Sequence, residues 1–420
     1  MTPLLALLRD NRNYRNTWIA QVVSEIGDYF NNIAVFALVM GASGSGLVVS
    51  GVMLSRAIPA VLAGPLAGVV LDRFDRKRIM IASDLVRAAV ALAFVLTIHQ
   101  PRPWLLYVLS ALLMFASPFF TAGRAAILPT IATSEELHAA NSLTQTTQWA
   151  TLTAGTLLAG FGAASWGYYW AFIINSLSFV FSAAAIWRIA VPHGFRAKYG
   201  GAAGQRPWHD YRDGLAYMRS VPLTMGIAMI SVGWAMGGGA AQILFALFGE
   251  QVFHRGPAGI GSIWGFAGIG LLLGGAIGHL RGRHATFAGY KRTVTVSYLV
   301  HGAAYMGFSQ ATSYPAALVL MMLSRVGMAV TSVLNNAQLL RHTPDQFRGR
   351  VFATLESLRW TAMIVSMAAA GIASQYTSPR TIGLIAGALG LVTALAWAWL
   401  DGTGGLPEPL EAVSGTSRPS

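Results

Sequence analysis

Long apolar runs recur along the chain, at about 17–40, 46–71, 79–99, 103–123, 138–162, 168–190, 222–249, 258–280, 292–310, 314–340, 350–374 and 381–400, with most charged residues between them. About 20 apolar residues in a helix cross about 30 Å of hydrocarbon. The pattern therefore predicts an all-α integral membrane protein of twelve transmembrane helices. The longest connection divides them six and six, which predicts an N-terminal six-helix bundle over 1–190, a cytoplasmic linker over 191–221 and a C-terminal six-helix bundle over 222–401. Within the linker, Trp208, Tyr211, Leu215 and Met218 fall at helical spacing beside His209, Asp210 and Asp213. That stretch predicts an amphipathic helix on the inner membrane surface. Residues 402–420 are rich in Gly, Pro and Ser and predict a disordered cytoplasmic tail. Met1 to Leu8 is too short an apolar stretch, and wrongly flanked by Arg9, Arg12 and Arg15, for a cleaved signal peptide.

Composition sharpens this picture. The 420 residues are 54% hydrophobic and only 11% charged, against about 25% charged in an ordinary globular domain, and they leave no room for a separate soluble domain. The absence of cysteine excludes disulfides, thiol nucleophiles and Cys-ligated metals or clusters. A net charge of +13 in a soluble chain would suggest nucleic acid, but position decides otherwise. Lys and Arg gather in the N-terminal segment and in alternate loops, as at Arg73, Arg76, Lys77 and Arg78, at Arg196 to Arg219 and at Arg341 to Arg350, while Arg102, Arg255 and Arg380 stand on the other side. This asymmetry places both termini in the cytoplasm. The basic charge is a topology signal, so lipid is the expected surroundings and nucleic acid is not an expected partner.

An internal repeat supports the six-plus-six division. A shift of 211 residues lays Ser134–Trp149 over Asp345–Trp360, so that Gln145 meets Glu356, Gln148 meets Arg359, Trp149 meets Trp360 and Gly160 meets Gly371. Two six-helix pseudo-repeats of like orientation predict a substrate site near mid-membrane.

The loop after the second span reads Gly68-Val69-Val70-Leu71-Asp72-Arg73-Phe74-Asp75-Arg76-Lys77-Arg78. Gly68, Asp72, Arg73, Arg76 and Lys77 resemble the loop motif of the major facilitator superfamily, while Asp75 stands where many members carry glycine. Gly68 is read as permitting close helix approach, and Asp72 as lying near a helix N-terminus. The resemblance implies a gate motif that locks the inner gate against span eleven near Arg350, and Asp84, placed near the inner surface, is read as supporting it. Ser24-Glu25-Ile26-Gly27-Asp28, Ser117-Pro118, Ile127-Leu128-Pro129, Glu135-Glu136-Leu137 and Ala140-Asn141-Ser142-Leu143 look like the branch that includes macrolide exporters and the enterobactin exporter. Gly155-Thr156-Leu157-Leu158-Ala159-Gly160 lacks the proline usual in the antiporter motif of span five, so the resemblance implies transport more firmly than proton antiport.

Ionisable residues inside the spans carry the residue-level reading, because each costs about 2.5–3.5 kcal/mol at the membrane centre. They are Glu25, Asp28, Arg56, Asp84, Arg87, Arg325, Glu356 and Arg359, and all must pair or face water. Gln21, Glu25, Asp28 and Asn32 share one face of the first span, which predicts a cavity wall. Depth along the helices suggests that Asp28 meets Arg56, directly or bridged through Asn32, and that Glu25 lies level with Arg87. Two readings stay open: Glu25 or Asp28 carries a proton, or both are permanently neutralised by these arginines. Glu356 and Arg359, three residues apart, either pair with each other or bind substrate, as Arg325 could. Gly237-Gly238-Gly239 reads as an unwound or hinge segment, and Gly265 to Gly275 as helix packing. His279, His284, His301 and His342 lack metal-ligand spacing, so neither metal nor cofactor is expected, and no catalytic constellation marks an enzyme. The expected function is a monomeric bacterial inner-membrane transporter exporting a small amphipathic substrate by alternating access, with protons as the coupling partner. A siderophore or lysolipid exporter, or a uniporter, is the alternative.

Overall fold

The computed structural model describes residues 3–99, 102–190 and 207–409. Their secondary structure is helical, with no strand among the described residues. A short α1 (Pro3–Asp10) leads into α2 (Arg12–Ser43), α3 (Gly46–Arg73), α4 (Arg76–Ala93, extended by a 3-10 turn to Thr97), α5 (Pro103–Ile131), α6 (Ser134–Trp166) and α7 (Tyr168–Trp187). After the linker come α8 (Pro207–Ser220), α9 (Pro222–Leu247, followed by a π turn to Val252), α10 (Gly256–Gly282), α11 (Phe287–Gln310), α12 (Tyr314–His342), α13 (Asp345–Ala373) and α14 (Pro379–Gly402). Each of the twelve expected spans has its helix. The repeat is plain in the helix starts: Arg76, Pro103, Ser134 and Tyr168 open α4 to α7, and Phe287, Tyr314, Asp345 and Pro379 open α11 to α14, each 211 residues further on.

Among the described residues, nine helices are long and apolar enough to cross a membrane by length and hydropathy alone. The other three spans, α6, α11 and α13, carry more polar residues, as helices with one face turned from lipid do. Large apolar side chains such as Leu62, Leu96 and Val392 stand exposed along the spans, and Trp104, Trp166, Trp187 and Trp399 stand exposed near helix ends. Both are the surface of a protein immersed in a bilayer, with tryptophans at the interfaces.

The chain forms two compact units, one of residues 1–201, 243–268 and 370–376, the other of 202–242, 269–369 and 377–420. In the first, α2 packs against α6 and α7, and α4 against α5 and α7. Leu7, Tyr14, Met80, Phe120, Ile127 and Ile186 bury one core there. Thr133 caps α6 in a capping box, accepting from the Glu136 amide at 3.3 Å while Glu136 accepts from the Thr133 amide at 2.9 Å, which gives Glu136 a structural role. One close crossing in this unit is that of Gly160 and Gly261, where a Cβ on Gly160 would come within 2.8 Å of Gly261 Cα and 2.9 Å of the Pro257 carbonyl. Gly160→Val should therefore cost about 1–3 kcal/mol through overpacking, read as a lower unfolding temperature of the purified protein; an unchanged temperature would show that the crossing is not close.

In the second unit α11 packs on α12 and α14, and Tyr290, Tyr298, Val330, Leu334 and Trp397 form its core. Several expectations are corrected here. Gly237 to Gly239 are continuous α-helix rather than unwound, because their missing side chains admit neighbours: Gly237 lies against the Ala386 carbonyl, and Gly239 against Met363 and Ser366. Ser366 joins the α9 ladder, donating to the Met236 carbonyl and accepting from the Ala240 amide at 3.0 Å. The expected disorder from 402 onward is wrong for its first part. Leu406 is buried in the core, and Lys291 holds both the Leu406 carbonyl, at 3.2 Å, and Asp401, at 2.5 Å. Residues 410–420 lie outside the described residues, as do 191–206 of the linker.

The linker helix α8 exists, but protein occupies much of the face assigned to the membrane. Asp210 and Asp213 both reach Arg350 on α13, at 3.0 and 3.3 Å. Tyr217 stacks on Phe347 with 4.8 Å between centroids, and Gly214 lets the helix close on the Arg350 backbone. Trp208, stacked on Tyr211, remains exposed. Arg124, just past the apolar run 103–123, lies within α5, which continues to Ile131.

Candidate functional site

The loop between α3 and α4 is stitched to its own unit by its basic residues. Arg76 donates to the Ala126 carbonyl at 2.6 Å and Lys77 to the Ile189 carbonyl at 2.7 Å. Asp75, the departure from the family pattern, accepts from the Arg78 amide at 3.0 Å and caps α4. The reading of Gly68 is corrected: a Cβ there would meet nothing within 4 Å among the described residues, so none of the described helices approaches it closely. Asp72 and Arg73 are exposed, and Asp72 has no hydrogen-bond or ion-pair partner among the described residues.

Deeper in this unit the polar face of α2 meets α6, α3 and α4. Glu25 accepts from Gln21 Nε2 at 2.8 Å and from Thr151 Oγ1 at 2.5 Å. Arg124 is close enough to act on it electrostatically but forms no ion pair with it. Asp28 Oδ1 and Asn32 Oδ1 are buried without a hydrogen-bond partner. Both expected pairs are corrected. Arg56, 7% exposed, donates to Asn31 Oδ1 at 3.3 Å and does not bridge to Asp28 through Asn32. Arg87 pairs with Asp84 rather than Glu25, because a three-residue spacing puts the two on one face of α4. Asp84 also accepts from Ser182 at 2.6 Å, so it belongs to this buried cluster and not to the gate loop. The Phe120 and Phe179 rings, 4.6 and 4.3 Å away, hold the Arg87 guanidinium between them. Asp28 is within electrostatic reach of both arginines, and Gly27 admits Ser178 and Asn175 of α7 against α2.

In the second unit Glu356 and Arg359 bind each other, with contacts of 2.6 and 2.7 Å from Arg359 Nη2 to the two carboxylate oxygens. They line a cavity of about 200 Å³ with Trp234, Tyr298, Thr331 and Asn335. Arg325 is buried one step away, 6.0 Å from the Tyr305 ring centre. Near it His301 Nδ1 lies 3.0 Å from the Ser324 carbonyl and 2.8 Å from its hydroxyl. His209, Asp210 and Asp213 converge within 4.8 Å of one another, but Arg350 already supplies positive charge to both carboxylates. The residues that sequence reasoning missed are neutral hydrogen-bonders and rings: Asn31, Thr151, Ser182, Phe120, Phe179, Trp234 and Tyr298. Thr147, Thr151 and Thr156 are all buried within one span, and this density of hydroxyls in an apolar helix was the available signal.

The described residues combine a multi-span helical fold with buried carboxyls and a lined cavity, the features that a membrane transporter requires. A family model described as the Major Facilitator Superfamily matches residues 17–308, and the chain belongs to that family. It is 26% identical over 404 residues to the uncharacterized MFS-type transporter YfiS of Bacillus subtilis (strain 168), covering 93% of this chain and 94% of that protein. It is 21% identical over 358 residues to macrolide efflux protein A of Streptococcus pyogenes, covering 83% and 86%. Among solved structures, a mutant of the nucleoside transporter NupG superposes with a TM-score of 0.74 at 12% identity, covering 92% of this chain and 99% of that one; this likeness concerns the fold alone.

Proposed function

We propose that this transporter exports a small amphipathic molecule across a bacterial inner membrane by alternating access, both termini being cytoplasmic, in exchange for protons carried on α2. The observation that carries the reading is the state of Glu25 and Asp28. Both sit among spans with no Lys or Arg in ion-pair contact among the described residues, Glu25 held only by neutral donors and Asp28 Oδ1 by none. A carboxyl without a bound cation is free to gain and lose a proton as its surroundings change, whereas Asp84, locked to Arg87, is not. The similarity to a macrolide efflux protein supports the outward direction and the amphipathic substrate. The test is a proteoliposome assay in which substrate addition should move protons; solute flux without proton movement would favour a uniporter instead.

The loop from Gly68 to Lys77 is proposed to lock the inner gate in another state of the cycle. Because Asp72 is exposed and has no partner among the described residues, Asp72→Asn should leave the unfolding temperature unchanged and sharply reduce transport. A well-expressed variant with wild-type flux would remove the loop from the gate.

A further inference from the structure

We propose that the cavity of the second unit selects ligands of zero net charge that offer hydrogen-bond acceptors, and that the Glu356–Arg359 pair sets this selection. This deepens the transport reading, taking the cavity as a place where the carried molecule rests. The wall supplies aromatic surface from Trp234 and Tyr298 and apolar surface from Ile230 and Phe352. Its two charges cancel, since Glu356 and Arg359 close on each other through both carboxylate oxygens and the guanidinium sits 5.9 Å from the Trp234 ring centre. The pair is not sealed away: the side chains are 50% and 38% exposed, so each charge meets whatever enters.

Two further groups specify the ligand's polarity. The Trp234 indole N–H and the Thr331 hydroxyl are buried and without partners, and Thr331 is only 3% exposed. A buried donor left unsatisfied is destabilising, and a carbonyl or ether oxygen of a ligand satisfies it. Tryptophan N–H can only donate, so an acceptor is what this corner requires. A ligand carboxylate would compete with Glu356 for Arg359 and leave one anion uncompensated, and a ligand ammonium would do the reverse to Arg359. Charged molecules are thus rejected by the pair itself, a repulsive element that a merely apolar pocket would lack.

The test uses three probes on one scaffold, 2-acetonaphthone, 2-naphthoate and 2-(aminomethyl)naphthalene, titrated calorimetrically into the full-length protein in uncharged detergent. The wild type should bind the ketone at least about tenfold more tightly than either charged probe, one decade being 1.4 kcal/mol. Glu356→Gln should make naphthoate the tightest ligand, Arg359→Gln should make the amine the tightest, and the double variant should return the preference to the ketone. Because both residues are half exposed, the variants should melt with the wild type, and a variant that does not is replaced by Glu356→Ala or Arg359→Met read the same way. Failure of all three probes to bind, a charged probe preferred by the wild type, or an order unchanged in both single variants would overturn the proposal. The expected binding order in a protein that moves no solute in proteoliposomes would sink the transport reading while sparing this one.

Discussion

Arg87→Ala is expected to destabilise the fold by about 3–5 kcal/mol, because it strips the cation from a carboxylate that spans and side chains enclose completely. Asp84 is 0% exposed and Arg87 2%, and Ser182 alone remains to hold the orphaned acid. The Phe120 and Phe179 rings would lose the guanidinium between them as well. Adding Asp84→Ala should recover much of the loss, since the uncompensated charge is then gone and only the volume of the pair is missing. Unfolding temperatures of the two single variants and the double variant check this. If the double variant is as unstable as Arg87→Ala alone, the packing of the guanidinium between the rings, and not the ion pair, is what stabilises the site.

Substrate-driven proton movement is expected to be abolished by at least one of Glu25→Gln and Asp28→Asn, with substrate binding retained in both. Each substitution keeps the size of the side chain and removes the proton it could release. Glu25→Gln keeps a hydrogen-bonding partner for Gln21 and Thr151, and Asp28→Asn removes a carboxyl with a buried, unpartnered oxygen. Neither leaves behind a buried charge whose pair partner has been lost, so both should fold, in contrast to Arg87→Ala. Vesicles in which both variants still show the normal pH change on substrate addition would show that neither residue carries the proton.

The helices were legible because the membrane writes them in a simple alphabet. Runs of apolar residues of fixed length separated by arginines need no knowledge of packing, and the starts of α6 and α13 fell where the 211-residue shift placed Ser134 and Asp345. The polar face of α2 was legible for the same reason, since Gln21, Glu25, Asp28 and Asn32 follow the helical period. Partner choice was not. Depth along a helix placed Arg87 level with Glu25, yet a residue three positions away on the same helix lies within reach whatever the packing, and Asp84 took the arginine. The glycines at 237–239 misled because a run of glycine weakens a helix in isolation, whereas here the space they vacate is filled by Ala386, Met363 and Ser366. The order of residues 402–409 was hidden too, because composition averages over a segment and a single Leu406 was enough to tie it down.

The grip of α8 on Arg350 carries a practical consequence for anyone handling this protein. Asp210, Asp213 and Arg350 are all between about one-third and two-fifths exposed, so dissolved ions reach them, and their attraction fades as the Debye length shrinks from about 8 Å at physiological salt to about 3 Å at 1 M. The Tyr217–Phe347 stack and the close approach at Gly214 do not depend on salt in this way. Ionic strength is therefore a dial on how firmly the linker helix is fastened, and solutions of high and low salt hold chemically identical preparations that differ in this one attachment.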